Sequence, residues 1–243
     1  MQAWHWEVFL KDPGGNYGSY LQWLLSAWGW TISVAVCAMG IALVIGTIVG
    51  ILRSVQNRLW AGVSQAWIEL FRNIPLILQV FLWYQVMPVL VPELRRTSGF
   101  VLVIVALGLY TSSRIATQVF SGIRAVAVGQ KSAATALGLT QLQSYRYVIL
   151  PVSFRVILPV LTTEMMSVVK NSSVAFAVSV GELTMFALQA QEETARGTEI
   201  YLAVTGLYAL SAIIVNRLML MIQAKVEVPG VASGSRRMKE SRC

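Results

Sequence analysis

Glu69, Arg72, Arg114, Glu164, Lys170 and Arg217 are ionisable residues set in or against long apolar stretches. A charge at the centre of a bilayer costs at least about 2.5–3.5 kcal/mol on insertion scales, so such groups pair with one another or line a polar cavity. The chemistry open to this set is recognition, not bond-making. A guanidinium forks onto a carboxylate through two parallel hydrogen bonds, whereas a lysine acts as a point charge. Glu69 and Arg72 stand three apart on one helical face and can neutralise each other. For Arg114 three readings stay open: pairing with Glu69, snorkelling to lipid headgroups, or meeting a carboxylate that is not part of the chain. Lys170, Asn171, Ser172 and Ser173 gather one cation and three hydrogen-bonding side chains deep in an apolar span, over two or more helical faces. That suits a polar pathway or interhelical glue equally. Arg217 falls one or two turns from a span end, where it snorkels.

Catalytic arrangements are missing. No G-x-x-x-x-G-K-[ST] segment occurs, so nucleotide phosphates have no Walker loop here, and HExxH, GxSxG and Cys/His clusters are absent too. With one histidine and two distant cysteines, metal chemistry and an intramolecular disulfide are not expected. His5, between Trp4 and Trp6, reads as part of an interfacial aromatic belt, and Cys37 as core filler.

These residues must be positioned by membrane helices. The 243-residue chain is 56% hydrophobic and 12% charged, with a mean hydropathy of +0.64, values typical of membrane proteins. Allowing about 20 residues per crossing, the apolar runs predict an all-α integral membrane protein with five spans, near 27–52, 66–90, 98–120, 156–180 and 200–222. No linker or repeat divides residues 1–229, and the Gly/Ser/Lys/Arg-rich stretch 230–243 reads as a disordered tail. The lead before the first span lacks a basic n-region and a cleavage site and is expected to be retained. Trp23, Trp28, Trp30, Trp60, Trp67 and Trp83 fall mostly near span ends, as interface anchors should. Gly46 and Gly50 form a GxxxG pair that serves local packing or a subunit interface.

Charge orients the spans. The loops after spans one and three and the C-terminal tail carry eleven basic residues against two acidic ones, whereas the opposite face carries four basic against seven acidic. The positive-inside rule then places the N-terminus outside and the C-terminus in the cytoplasm. The same distribution accounts for the net charge of +8 without nucleic acid, for which no aromatic or zinc-finger signature appears.

On the cytoplasmic side, residues 121–155 form the longest loop. Within it, SAATALGLTQLQSYRYVILP (132–151) reads as helix, turn, helix. Gly138 supplies a left-handed or close-packed turn, Thr140 is a candidate N-cap, and Pro151 is expected to interrupt the second helix. Ser132, Ala133, Ala134 and Gly138, followed after a spacer by Leu150-Pro151, resemble the coupling-loop signature of binding-protein-dependent ABC importers, with Ser132 where the family usually has Glu. The competing reading is an amphipathic helix lying on lipid, which Arg146, the only charge after Lys131, would hold weakly.

Further segments resemble the polar amino acid permeases of that family. Residues 69–79 (ELFRNIPLILQ) follow E-x-F-R-G-x-P-L-x-x-Q with Asn73 in place of Gly. Residues 110–130 continue the pattern with Thr117 where Glu is typical, and 161–173 and 145–151 are similar to glutamate/aspartate permeases. The resemblance covers roughly 20–229. It implies a type I importer permease fold for the inner membrane of a bacterium. It also implies a related, heteromeric second permease, two cytoplasmic ATPases that bind ATP and Mg, and an external, periplasmic solute-binding protein. By the resemblance the chain itself is not an enzyme, holds no cofactor, and serves import of glutamate or aspartate. Glutamine, arginine or histidine import stays open, as does a self-sufficient secondary transporter or channel. If the substrate is acidic, Arg72, Arg114 and Lys170, with Asn171, Ser172 and Ser173, are its candidate pathway.

Overall fold

A computed structural model describes residues 4–226; the expected tail 230–243 lies outside the described residues. Every regular element among them is helical.

Helix α1, Tyr20–Ser54, starts where the Ser19 hydroxyl accepts the Gln22 amide hydrogen, an N-cap that satisfies one of the open donors of the first turn. Its 35 residues reach about 52 Å at 1.5 Å per residue, well beyond the expected 27–52. The surplus over a hydrocarbon core of about 30 Å carries α1 out of the bilayer.

The expected single span 66–90 is broken. Helix α2, Arg58–Asn73, and helix α3, Leu76–Leu90, meet at 102°. Pro75 has no N–H to continue α2 and disfavours helical geometry at Ile74 before it. The break leaves carbonyls open, and the buried Gln79 closes them: its Nε2 donates to the oxygens of Phe71 and Ile74 at 2.8 and 2.9 Å. Counted as one crossing, the bent pair completes five with the four long helices.

Helix α4, Gly99–Ala125, is the central post, with Val103, Leu107, Ile115 and Val119 all but fully buried. Its closest neighbour is α1, and the GxxxG pair explains how. A Cβ on Gly46 would sit 2.8 Å from the Ser112 carbonyl oxygen and one on Gly50 2.7 Å from that of Ala116, so the two glycines serve packing within the chain. Two tryptophans expected at the interface instead tie helices together, Trp28 Nε1 donating to Ser211 at 2.8 Å and Trp67 Nε1 to Ser112 at 3.2 Å. Cys37 is exposed on α1, not core filler.

Helix α5, Val128–Ala136, and helix α6, Gln141–Val178, follow. Pro151 does not interrupt α6. A π-turn at Tyr145–Ile149 widens the helix just before it, so the missing N–H falls at the junction of two hydrogen-bonding patterns. The fourth span therefore begins inside the expected loop 121–155, fifteen residues before the expected 156. After Asn171 α6 tightens into a 3-10 turn, Ser172–Val178.

The connection expected over 181–199 contains helix α7, Leu183–Thr194, before helix α8, Gly197–Val226. Phe186, Leu183 and Ala190 of α7 pack with Val8 and Phe9 of the N-terminal 3-10 turn against Leu24 of α1 and Ile200 of α8. This second core caps the N-terminal ends of α1 and α8. His5 donates its amide hydrogen to Glu199 here, so the lead is docked, not merely an aromatic belt.

Candidate functional site

The segment 132–151, expected to couple to an ATPase, is built by two local rules. Helix α5 ends in a Schellman arrangement: Leu139 N–H donates to the Ala134 oxygen at 3.1 Å and Gly138 N–H to the Thr135 oxygen at 3.0 Å. Gly138 takes φ +76° with nothing within 4 Å of a Cβ built on it, so the turn needs glycine for its left-handed backbone; close packing within the chain plays no part. Two residues later Thr140 caps α6 in a full capping box with Gln143. Ser132 and Ala133 are exposed, Ala134 is buried at 2% exposure and anchors the knob, Leu150 is half-buried and Pro151 exposed. Residue-type reasoning missed Leu137 and Leu142, exposed at 81% and 79%. Large apolar side chains flanking the turn with nothing of this chain over them give the knob a sticky tip. Position beside a glycine turn was the one signal for them.

Within the spans, Arg114 of α4 meets Glu164 of α6. Arg114 Nε donates to Glu164 Oε2 at 2.7 Å and Nη2 to Oε1 at 2.9 Å, the bidentate fork that fixes both side chains. Glu164 is buried and the Arg114 side chain remains 39% exposed. The expected partner Glu69 is engaged instead by Gln65, one turn away, and Glu69 makes no ion pair with Arg72, since Arg114–Glu164 is the one ion pair among the described residues. Glu164 was among the charged residues noted in the sequence, but a pairing across two helices leaves no spacing to read.

Arg114 has company on its own helix. Thr111, Arg114 and Gln118 are spaced three and four apart, so they share one face of α4. Thr111 Oγ1 and Gln118 Oε1 are buried without a partner, unusual for polar atoms removed from solvent. A polar stripe at helical spacing inside an apolar run was legible, and went unread because Thr and Gln carry no charge.

The remaining candidates do not join this pair. Arg72 is exposed in the last turn of α2, ahead of the Pro75 break. Lys170 is exposed and Asn171 half-buried in the last turn of α6 before its 3-10 segment. Ser172 is fully buried, donating to the Val169 oxygen at 2.7 Å, and Ser173 is half-buried. The cluster thus lies where the helix tightens, not deep in a regular span, and Ser172 is committed to the backbone.

A different buried polar network missed in the sequence holds α7. Glu182, with no exposed surface, accepts the amide hydrogens of Thr184 and Met185 at 2.9 and 3.0 Å and the Tyr208 hydroxyl at 2.9 Å. Burial nonetheless pushes its carboxyl above the ordinary value, the three hydrogen bonds offsetting this only in part.

Comparison with known proteins agrees with the helical frame. Residues 42–228 match the family described as binding-protein-dependent transport system inner membrane component. The glutamate/aspartate import permease protein GltJ of Escherichia coli is 39% identical over 242 residues, spanning 95% of this chain and 98% of that one. Its fellow glutamate/aspartate import permease protein GltK, also from Escherichia coli, is 28% identical over 67% of this chain and 75% of its own. A crystal structure of an amino acid ABC transporter with histidines superposes with a TM-score of 0.75 at 26% identity, covering 85% of this chain and 95% of that one. With its helices, its bent span and its exposed knob, the chain is a multi-pass membrane protein belonging to the binding-protein-dependent transport system inner membrane component family, an amino acid ABC importer permease.

Proposed function

We propose that this chain is one of two permease subunits of an ATP-driven importer for glutamate and aspartate. ATP and Mg are bound by two cytoplasmic ATPase subunits, and substrate is delivered by a binding protein outside the membrane. The likeness to GltJ supports the substrate, and the likeness to both GltJ and GltK supports a heteromeric pair. The chain itself has no Walker loop, so hydrolysis belongs to its partners. The knob at 132–151 takes the coupling role, its exposed Leu137 and Leu142 supplying an apolar plug for a socket on the ATPase.

The observation that carries the substrate reading is the Arg114 face. Glu164 uses two of the five guanidinium donors, leaving three on a side chain that is still partly open. A permanently buried bare cation would be costly, and Glu164 removes that cost while no substrate is present. An arriving carboxylate meets the open donors or displaces Glu164, with the partnerless Thr111 and Gln118 along the same face. Lys170, Asn171 and Ser173 at the end of α6 and Arg72 at the bent span stand apart from this pair and remain further candidate contacts.

Arg114→Gln tests this in the assembled transporter. A lost charge-assisted pair corresponds to about 1.5–3 kcal/mol, so glutamate and aspartate uptake should fall about tenfold or more. Glutamine and asparagine uptake should fall far less, and basal ATPase activity should persist. Because the variant strands a buried Glu164, Arg114→Gln/Glu164→Gln serves as the assembly control. Equal losses for acidic and amide substrates remove Arg114 from the substrate site.

A further inference from the structure

A cavity of about 720 Å³ lies behind the coupling knob, roofed by the C-terminal ends of α1 and α4 and floored by α5 and the start of α6. Its wall carries two cations, Arg124 and Lys131, and Arg53 stands next to it in sequence beside the lining residue Ser54. Arg53 and Arg124 both lie over the ring of Phe120, with their guanidinium carbons 4.3 and 5.5 Å from its centroid. Arg124 and Phe120 line the cavity, as does Lys131. Among the described residues neither arginine meets a carboxylate, the one ion pair being Arg114–Glu164, and no acidic residue lines the cavity. Lys131 is partly committed, its ammonium donating to the Ile123 oxygen at 3.1 Å, where it also faces the negative end of α4.

Two like charges gathered on one aromatic ring repel each other, and the ring returns only about 0.5–1 kcal/mol per cation at an exposed site. An anion held in the cavity against Arg124 would relieve that repulsion. Guanidinium groups suit a tetrahedral oxyanion better than a carboxylate-sized gap requires, because each offers a planar fork to phosphate oxygens. The remaining wall supplies neutral hydrogen-bonding groups: the Tyr145 and Ser54 hydroxyls, 3.0 Å apart, and the Gln141 and Thr135 side chains.

We propose that this cavity is a site for a phosphate-bearing anion, and that its source is the headgroup of an anionic phospholipid of the cytoplasmic leaflet. The chemistry is shared with free phosphate. Position favours the lipid, because the cavity opens where two membrane-spanning helices end and Arg53 still belongs to the span. Basic pockets between helices on this side of a membrane bind such headgroups. Seated there, the headgroup bridges the ends of α1 and α4 to Lys131 of α5, holding the knob against the spans it must move. The leaflet assignment rests on the cytoplasmic placement of the knob proposed above; anion binding itself does not.

The test uses the complete transporter in nanodiscs of phosphatidylcholine with a minor fraction of phosphatidylglycerol, so both faces see the same lipid and no transport is needed. Phosphatidylglycerol retained through delipidation is counted by native mass spectrometry. Each basic residue contributes about 1 kcal/mol at an anionic surface, so Arg53→Gln/Arg124→Gln should reduce retention about thirtyfold. Arg155→Gln, which removes an exposed cation away from the cavity, should leave it unchanged. Should the double variant fail to assemble, Arg124→Gln alone, an exposed position, should give about a fivefold loss. In a second arm, inorganic phosphate is titrated into phosphatidylcholine nanodiscs and followed by phosphorus NMR. Phosphate binding that Arg124→Gln abolishes, with no lipid retained by the wild type, keeps the site and names a soluble anion as its source. Retention equal in wild type and variants, with no phosphate binding, overturns the proposal.

Discussion

Glu182 shows how much a single side chain carries in this fold. It has no exposed surface, yet it caps α7 and receives the Tyr208 hydroxyl of α8, so one carboxyl joins these two helices. Glu182 lies in the connection between α6 and α7, outside the membrane-spanning helices, and burial raises its proton affinity there. The native state therefore binds the proton more tightly than the unfolded chain does. That contribution to stability is complete below the ordinary carboxylate value and is lost as pH rises through the raised native value. The apparent melting midpoint of the purified complex should fall over that window, and Glu182→Gln should flatten this part of the profile. An identical pH slope in both proteins would show that Glu182 titrates as an ordinary surface acid. Nothing in the order of residues announced this role, because Glu182 falls in a short connection between two apolar spans, where an acidic residue reads as solvent-facing. Glu164 was visible as a charge that needed a partner, but the choice of Arg114 belongs to the crossing of α4 and α6.

At the scale of elements, glycine and proline were read for the right reasons with uneven results. Gly138 behaves as its spacing suggested, with φ +76° and a capped helix after it. Pro151 was expected to stop a helix and does not, since a π-turn absorbs it. Pro75 does break a helix, inside what hydropathy alone presents as one span. The difference is local: Gln79 stands four residues after Pro75, placed to satisfy the broken ends, whereas the turn before Pro151 has room for an extra residue. Hydropathy records burial in lipid and is blind to such bends. For Gly138→Val, the left-handed backbone costs roughly 1–2 kcal/mol, and more for a β-branched residue. No atom of this chain obstructs the new side chain, so any clash is with the docked ATPase. We expect hydrolysis to be uncoupled from transport in a complex that still assembles, with Gly138→Asn recovering most of the coupling because Asn tolerates this backbone region. Normal transport by assembled Gly138→Val would argue against docking through this turn.

For the whole molecule, composition and long apolar runs sufficed for the class and the approximate number of crossings. The cap over the N-terminal ends of α1 and α8 was not legible, because α7 and the Trp6–Leu10 turn are too short and mixed to stand out from loops. The orientation rests on the uneven placement of Lys and Arg. Single cysteines at Asn16 and Ser235, in a chain lacking Cys37 and Cys243, should react with an impermeant maleimide from opposite sides of the membrane. Reaction of both from one side would break the five-crossing topology. The most direct test of the account is ATP-driven uptake of labelled glutamate by proteoliposomes. These would hold this chain, its partner permease and the ATPase subunits, with the binding protein outside. Uptake should require the binding protein and ATP on the side of the knob, be competed by aspartate, and vanish when the ATPase is omitted. Uptake by this chain without the ATPase, or uptake indifferent to the binding protein, would contradict the proposed function.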